Sequence, residues 1–595
     1  MMIRPSLLAA LLSVVLFPLS ASACGGFFCN AADPTVVVQA GERVIFSNND
    51  GLTTMHIEVA FQGEPTEFGW IVPLPDVPRD AAGEQLPLDQ AVELSHSAVF
   101  DRLQSATNPS YSVNASGDPF GCDGTTATDS TDGTDGTDGT DASNGPPPVV
   151  VLEQANVGPY VAQLIKASEP DALFGWLEAN GYTQDLAAKP LLADYVKMDY
   201  VFVGLRLRSG KSTGDLRPVA VRIGETAACV PLRLTSIAAT ANMPVLVWVL
   251  GEARAVPKNF MHAVINPQAL SWPGAPEYQA VLDAAVDSAV GHAFVTEYAQ
   301  PGQAFAEIFL TGIQRAAQQL AEADTNVTVL EAYIELGLPL DDTFTSVVME
   351  ATGWDGDGNS ADLQEFLETS PGSALEFKQA LQTQIIEPLG RVQDLFDRAQ
   401  VVTRLYTTVD PEDMTRDPVF VFNKELPLVS PNNQVNAEWS AKDCATSEVV
   451  ATWPDGARFT WDCESMSCPS FGSIPARSTE PLLRLEVIDE TGQPTVIQVA
   501  DAAVVDSVLE AAKPGSPSLP NGYTPSEGTG GTDGGSGLGG TSAGTGQSTG
   551  STSAGSTTGG SGGCSAGGEN SGGIPVALLL MVLMTAVWRQ RFARA

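Results

Sequence analysis

Apolar and polar positions alternate with a period of two through the first part of the chain. Arg43 to Ser47, and then Met55, Ile57, Val59 and Phe61 among mostly polar neighbours, read as antiparallel strands joined by Asn48-Asn49-Asp50-Gly51. Successive strand side chains point to opposite faces, so one face of this hairpin is buried, and Asn and Gly suit its tight turn. The run Phe68-Gly69-Trp70-Ile71-Val72-Pro73-Leu74-Pro75 closes the region, since its two prolines cannot donate in a sheet interior and belong at an edge or exit. Val149 to Ala155 and Tyr160 to Ile165 predict further strands. A helix follows in which Ser168 is the cap, Pro170 sits in the first turn, Leu173, Trp176 and Leu177 share a face, and Asn180-Gly181 stops it. Val201, Val203, Leu205 and Leu207 predict one arm of a hairpin turning through Ser209 to Gly214, with Val219, Val221 and Ile223 returning. Val230 to Leu234 and Pro244 to Leu250 predict two more strands.

The period then changes. Tyr278, Val281, Leu282, Ala285, Val286 and Ala289 fall at helical spacing, as do Phe305, Ile308, Phe309, Ile313, Ala316 and Leu320. A third helical pattern runs through Phe377, Leu381, Ile385, Leu389, Val392 and Phe396, with Pro388 expected to kink or split it. A Cys-containing β-rich piece occupies 436–515. The fold class expected is therefore α+β: an antiparallel β-rich N-terminal region, a helical centre, a smaller β-rich C-terminal piece and a disordered linker.

Composition adds the organisation around that fold. The chain has 595 residues, 30 Lys plus Arg against 71 Asp plus Glu, a net charge of −41 and 57 Gly. So acidic a chain lacks the basic footprint of a nucleic-acid binder. Residues 115–148 carry Thr-Asp-Gly repeats and read as a solvated acidic insertion; Asp129, Asp132, Asp135, Asp138 and Asp141 could gather calcium weakly, but a spacer is the better reading. Residues 1–23 have a basic start, an apolar centre and Ala21-Ser22-Ala23 before Cys24, the parts of a secretory signal peptide. Plain cleavage ranks above lipidation of Cys24, because Ala21 stands where a lipoprotein signal more often has Leu. At the other end, a Gly/Ser/Thr-rich linker at 516–573 precedes an apolar run, 574–588, and a basic tail, 589–595. A helix over that run would be roughly 22 Å long against about 30 Å of bilayer hydrocarbon, a marginal span, and the terminal arginines would stay in the cytoplasm. Cys564, the linker, the short helix and the arginines together resemble the Cys-containing C-terminal sorting signals of myxobacteria; the alternative is a simple transmembrane anchor.

Four separated motifs occur in order: Cys24-Gly25-Gly26-Phe27-Phe28-Cys29, the Phe68 to Pro75 run, Trp176-Leu177-Glu178-Ala179-Asn180-Gly181-Tyr182, and Pro231-Leu232-Arg233-Leu234-Thr235-Ser236. Together they resemble the exported bacterial family DUF2330. The likeness extends over 24–435 through Thr403-Arg404-Leu405-Tyr406 and Asp417-Pro418-Val419-Phe420, leaving the insertion and the region after 435 outside it. The resemblance implies export and brings no activity, ligand or catalytic residue to carry over.

Among reactive residues the cysteines say most. In an exported chain Cys24, Cys29, Cys122, Cys229, Cys444, Cys463 and Cys468 are disulfide candidates, with Cys564 apart in the linker. A bridge from Cys444 to Cys463 across a hairpin turning at Trp453-Pro454-Asp455-Gly456 is one plausible pairing. His56, His96, His262 and His292 form no zinc-binding pair, and His56, on the polar face of its strand, suits a surface or hydrogen-bonded role. Ser209-Gly210-Lys211-Ser212-Thr213 lacks the first glycine of a phosphate loop, and no Gly-x-Ser-x-Gly elbow occurs in the folded region. Asp355, Asp357, Asn359 and Asp362 are candidate calcium ligands, although the segment misses the EF-hand register and suits a helix-capping loop. No other cofactor is indicated. The function expected is that of an exported, membrane-tethered envelope protein at the outer surface, with a binding or structural role toward an unspecified envelope or extracellular partner. The alternative is an extracellular enzyme, such as a hydrolase, built from scattered carboxylates.

Overall fold

The computed structural model describes residues 27–497, apart from 29–37, 50–51, 63–68, 81, 118–149, 181, 183–187, 209–215, 225–227, 306–312, 314, 317, 356–359, 370–372, 442–446 and 464–466. The signal segment, most of the acidic insertion, the linker and the run 574–588 lie outside the described residues.

Ten strands build the principal sheet: β1 (Val38–Asn49), β2 (Leu52–Gln62), β3 (Val92–Leu94), β4 (Val219–Gly224), β5 (Met243–Gly251), β6 (Met261–Ile265), β7 (Ala293–Pro301), β8 (Val401–Val409), β9 (Leu482–Val487) and β10 (Thr495–Ile497). Their order across the sheet is β10-β9-β6-β7-β8-β5-β1-β2-β4-β3. The β1–β2 hairpin turns where the Asn-rich cluster predicts, with Asn49 opposite Leu52. Its inner face carries Val44, Phe46, Met55 and Ile57, which share one core with Val72, Val203 and Leu205 of a second, five-stranded sheet. Ile71, Ile165 and Phe202 on the far face of that second sheet are covered by the helices Pro170–Ala179 and Ala188–Lys197. The outer face of the principal sheet, through Ile45, Trp248, Leu250 and Val402, packs on helices from Ser97–Thr107 to Glu387–Arg398. The layers therefore run helix, sheet, sheet, helix, an α+β arrangement in which each sheet buries both faces.

Several elements differ from expectation. The strands Val201–Leu207 and β4 do not form a hairpin: the first pairs with Gly69–Leu74 and Tyr160–Lys166, while β4 joins the other sheet beside β2 and β3. Both faces of each are buried, so either sheet accepts the same alternating pattern. Of Val230 to Leu234, the residues from Leu232 belong to a short helix, Leu232–Thr235. The cap residue of Pro170–Ala179 is Glu169, in place of Ser168, and it makes no side-chain capping bond. Pro73 lies inside the strand Gly69–Leu74, opposite Phe202 on one side; the flanking strand Phe27–Phe28 reaches only Gly69 and Trp70. The third helical pattern splits near Pro388: a π turn, Gln382–Ile386, separates Ala374–Leu381 from Glu387–Arg398. A proline cannot donate to the carbonyl four residues back, and a widened turn accommodates that loss.

The boundary expected at 435/436 falls within the strand Asn432–Ala441, which pairs in parallel with Ser110–Gly117. Gly117 has φ +93°, and a Cβ there would lie 1.8 Å from the Trp439 carbonyl oxygen. Only glycine permits that approach. Further on, β9 pairs with β6, so residues on both sides of the expected boundary share sheets.

Candidate functional site

The register of the principal sheet assembles a deep cleft. Tyr406 on β8 stands opposite Leu246 on β5, Leu246 opposite Arg43 on β1, and Arg43 opposite Glu58 on β2. Directly paired residues share a face, so these four side chains form one row across the sheet. Two residues along, Arg404, Trp248 and Ile45 form a parallel row. Between Thr296 and Tyr298 the pairing of β7 with β8 slips, leaving Glu297 as the extra residue of a bulge. Bulges re-aim side chains, and here the Glu297 carboxylate stands 2.6 Å from Arg404 Nε, both side chains almost wholly buried.

A buried charge persists only with its bonds supplied. Tyr278, opening the helix Tyr278–Asp287, donates its hydroxyl to Glu297 Oε1 at 2.5 Å. Arg404 Nη1 donates to Asn108 Oδ1 at 2.6 Å and to the Gln104 carbonyl at 3.2 Å, with the guanidinium 5.9 Å from the Trp248 ring centre. Tyr111 packs at a tilt against Tyr278 and edge-to-face against Trp272, with 5.5 and 5.2 Å between ring centres. At the other end Arg43 pairs with Glu58, lies 2.8 Å from Asp101 and donates to Gln104 Oε1 at 3.0 Å. Tyr406 donates its hydroxyl to Gln279 Oε1 at 2.8 Å. Trp70 and Phe61 complete the wall of a cleft of about 840 Å³, within the range that holds small organic ligands.

Burial pushes the Glu297 carboxyl above the usual carboxylate range, against the pull of Arg404. Glu58 is likewise raised by burial and opposed by Arg43. Two raised carboxyls in one cleft prompt comparison with a hydrolytic pair, which needs them roughly 5–9.5 Å apart. The backbones of their partners Arg404 and Arg43 lie two strands and two residues apart, about 12 Å at about 4.8 Å per strand and 3.4 Å per residue. With an arginine on each carboxyl, the pair suits fixed hydrogen-bonding platforms.

A second cluster gathers family motifs around Asp417. Tyr195 donates its hydroxyl to Asp417 Oδ2 at 2.6 Å and the Arg233 backbone N–H donates to Oδ1 at 2.9 Å. Burial raises Asp417 to about 6, and Glu42, bonded by Gln39 at 3.1 Å, to about 7. Pro73 to Pro75, Pro231 and Cys229 surround this point with about 30 Å³ of open space, so its bonds tie the elements together.

The four histidines are dispersed and buried. His56, far from exposed, faces Ser95 Oγ at 2.9 Å; His96 accepts the Ala98 N–H at the start of Ser97–Thr107. His262 contacts Glu486 and Thr296 Oγ1, each at 3.0 Å. That order mimics a catalytic triad, yet His262 Nε2 also accepts the Thr296 backbone N–H at 3.3 Å and lies 3.5 Å from Arg254. The imidazole is a strand-to-strand tie. His292 is 3.0 Å from Thr415 Oγ1.

Of the candidate calcium ligands, Asp355 follows the helix Asp342–Thr352 and Asp362 lies in the first turn of Ser360–Thr369; Asp357 and Asn359 lie outside the described residues. Among the described residues no group of three His, Cys, Asp or Glu could hold a metal ion. Cys463 is bonded to Cys468 and not to Cys444, the shorter separation closing within the chain after Arg458–Asp462. Cys229 is a free thiol pushed well up by burial. Cys24, Cys29, Cys122, Cys444 and Cys564 lie outside the described residues.

Fold and cleft thus define an α+β protein built on two large packed sheets, with an aromatic and arginine-lined groove on the larger one. The chain belongs to DUF2330, a family of uncharacterized proteins conserved in bacteria, which matches residues 18–325. No curated protein and no solved structure matches it.

Proposed function

We propose that this is an exported, membrane-tethered envelope protein that binds a ligand in the cleft over β8, β5, β1 and β2 without chemical turnover. The observation that carries the binding role is the pairing of Arg404 with Glu297 and Arg43 with Glu58 beside half-buried aromatic rings: oriented polar atoms next to apolar walls. Such groups are set in place before a ligand arrives, so little ordering entropy is lost on binding. Export is supported by the pattern of 1–23, and tethering by the linker and the run 574–588. Among the described residues no helix is long and apolar enough to cross a membrane, which leaves the tether to that run or to a lipid on Cys24 or Cys564. A linker on the order of 50 residues would hold the folded part roughly 40 Å from its anchor.

The test is a thermal-shift screen of the full chain, extracted from its membrane fraction, against saccharides, amino acids, short peptides and nucleosides. At least one class should raise the melting temperature, the Arg404→Met variant should lose that rise, and the compound should be recovered unchanged. Recovery of cleaved compound would favour the enzyme. Mass mapping of both termini from the same preparation should find the chain starting at Cys24; retention of 1–23 would overturn export.

A further inference from the structure

Deepening the binding role just proposed, we infer that the cleft takes an uncharged, polyhydroxylated ligand: a neutral oligosaccharide. Its charges nearly cancel, three arginines against four carboxyls of which burial raises Glu42 to about 7. Arg43, Arg217 and Arg404 line it against Glu42, Glu58, Glu297 and Asp342, and the two arginines of the sheet rows already hold carboxylates. A charged ligand at either of these arginines would have to break its pair and leave the displaced group unpaired, a heavy cost where that group is buried. The surrounding field of a chain with net charge −41 also repels polyanions.

What the cleft does offer is donors and acceptors side by side at fixed positions. Gln104 and Asn108 lie against the arginines, and Gln279 against Tyr406. A sugar hydroxyl both donates and accepts, so adjacent amide, guanidinium and carboxylate atoms match vicinal hydroxyls without any net charge. The half-buried rings of Trp70, Tyr111, Tyr278 and Tyr406 supply apolar faces for the C–H side of a pyranose. Flat apolar faces beside paired polar atoms are the complement of a sugar ring.

The experiment is isothermal titration of the full chain with gluco-, xylo- and chito-oligosaccharides, and with uronic-acid oligosaccharides of equal length. Neutral oligosaccharides should bind with an affinity that does not change between 50 and 500 mM salt. Tyr406→Ala should weaken binding about tenfold, whereas Tyr406→Phe, which keeps the ring and loses the Gln279 bond, should retain most of it. Near-ultraviolet circular dichroism would confirm that both variants are folded. Salt-sensitive binding of the uronic-acid series alone would overturn the neutral-ligand inference. Binding of peptides but no saccharide, lost in Arg404→Met, would overturn it while leaving the cleft a binding site. No binding by any class would overturn both readings.

Discussion

Replacing Glu42 by Gln tests the buried carboxyl on β1 most directly. Glu42 is 4% exposed, accepts from Gln39 and feels Asp417; burial raises its carboxyl from 4.5 to about 7. The folded protein therefore keeps a proton that the unfolded chain releases above 4.5. Stability falls as pH rises through the window from 4.5 to 7, and the cost of the buried charge is fully present above 7. At about 1.4 kcal/mol per pH unit, that cost is about 3 kcal/mol. Glutamine preserves size and hydrogen bonding and removes the ionisation. Urea unfolding of both full-length proteins, followed by tryptophan fluorescence, should give nearly equal stabilities at pH 4.5 and a Glu42→Gln chain about 3 kcal/mol more stable at pH 8. Groups common to both proteins cancel in the difference. A difference constant to within about 1 kcal/mol across that range would refute the reasoning, since it would mean that Glu42 ionises as readily when folded as when unfolded.

Further predictions follow from other buried groups. Arg404→Met leaves Glu297 without its cation, and urea unfolding at pH 8 should show a loss of about 3–5 kcal/mol, shrinking as pH falls and Glu297, raised by burial, takes up a proton. His56 is driven down to about 3 by burial and stays neutral, so stability should fall as pH drops below 6.5; His56→Gln should recover about 2 kcal/mol of that fall between pH 6.5 and 5. Cys229 should resist iodoacetamide in the native protein and react in urea, while Cys463 and Cys468 should react only after reduction, as read by peptide mass spectrometry.

Local pattern made part of this fold legible. Asn48 to Gly51 marks a real hairpin, and the spacing from Tyr278 marks a real helix, because turn chemistry and amphipathic faces are encoded within a few residues. What lay hidden was partner choice. Val201–Leu207 and β4 look alike and sit close in sequence, yet they enter different sheets. The same limit concealed His56, whose polar-looking strand face is covered by residues distant in sequence. The cleft was half visible. Arg404 and Tyr406 stood in a motif already singled out, and Glu297 was the one charge in the apolar run Ala293 to Ala299, a signal that a buried cation must meet it. That the cation was Arg404 required the β7 bulge.

The parallel ladder between Ser110–Gly117 and Asn432–Ala441 also sets a timetable. Ser110 meets Asn432 across 322 residues, which a ribosome working at roughly 5–20 residues per second takes on the order of half a minute to make. For that interval the earlier strand lacks the one ladder partner it has among the described residues, the condition in which exposed edges recruit other chains. Its solvent face consists of Ser110, Ser112, Asn114 and Ser116, all polar. Apolar replacements there would cost the finished protein little, but they should show as lost yield during synthesis, with aggregation before the chain is complete.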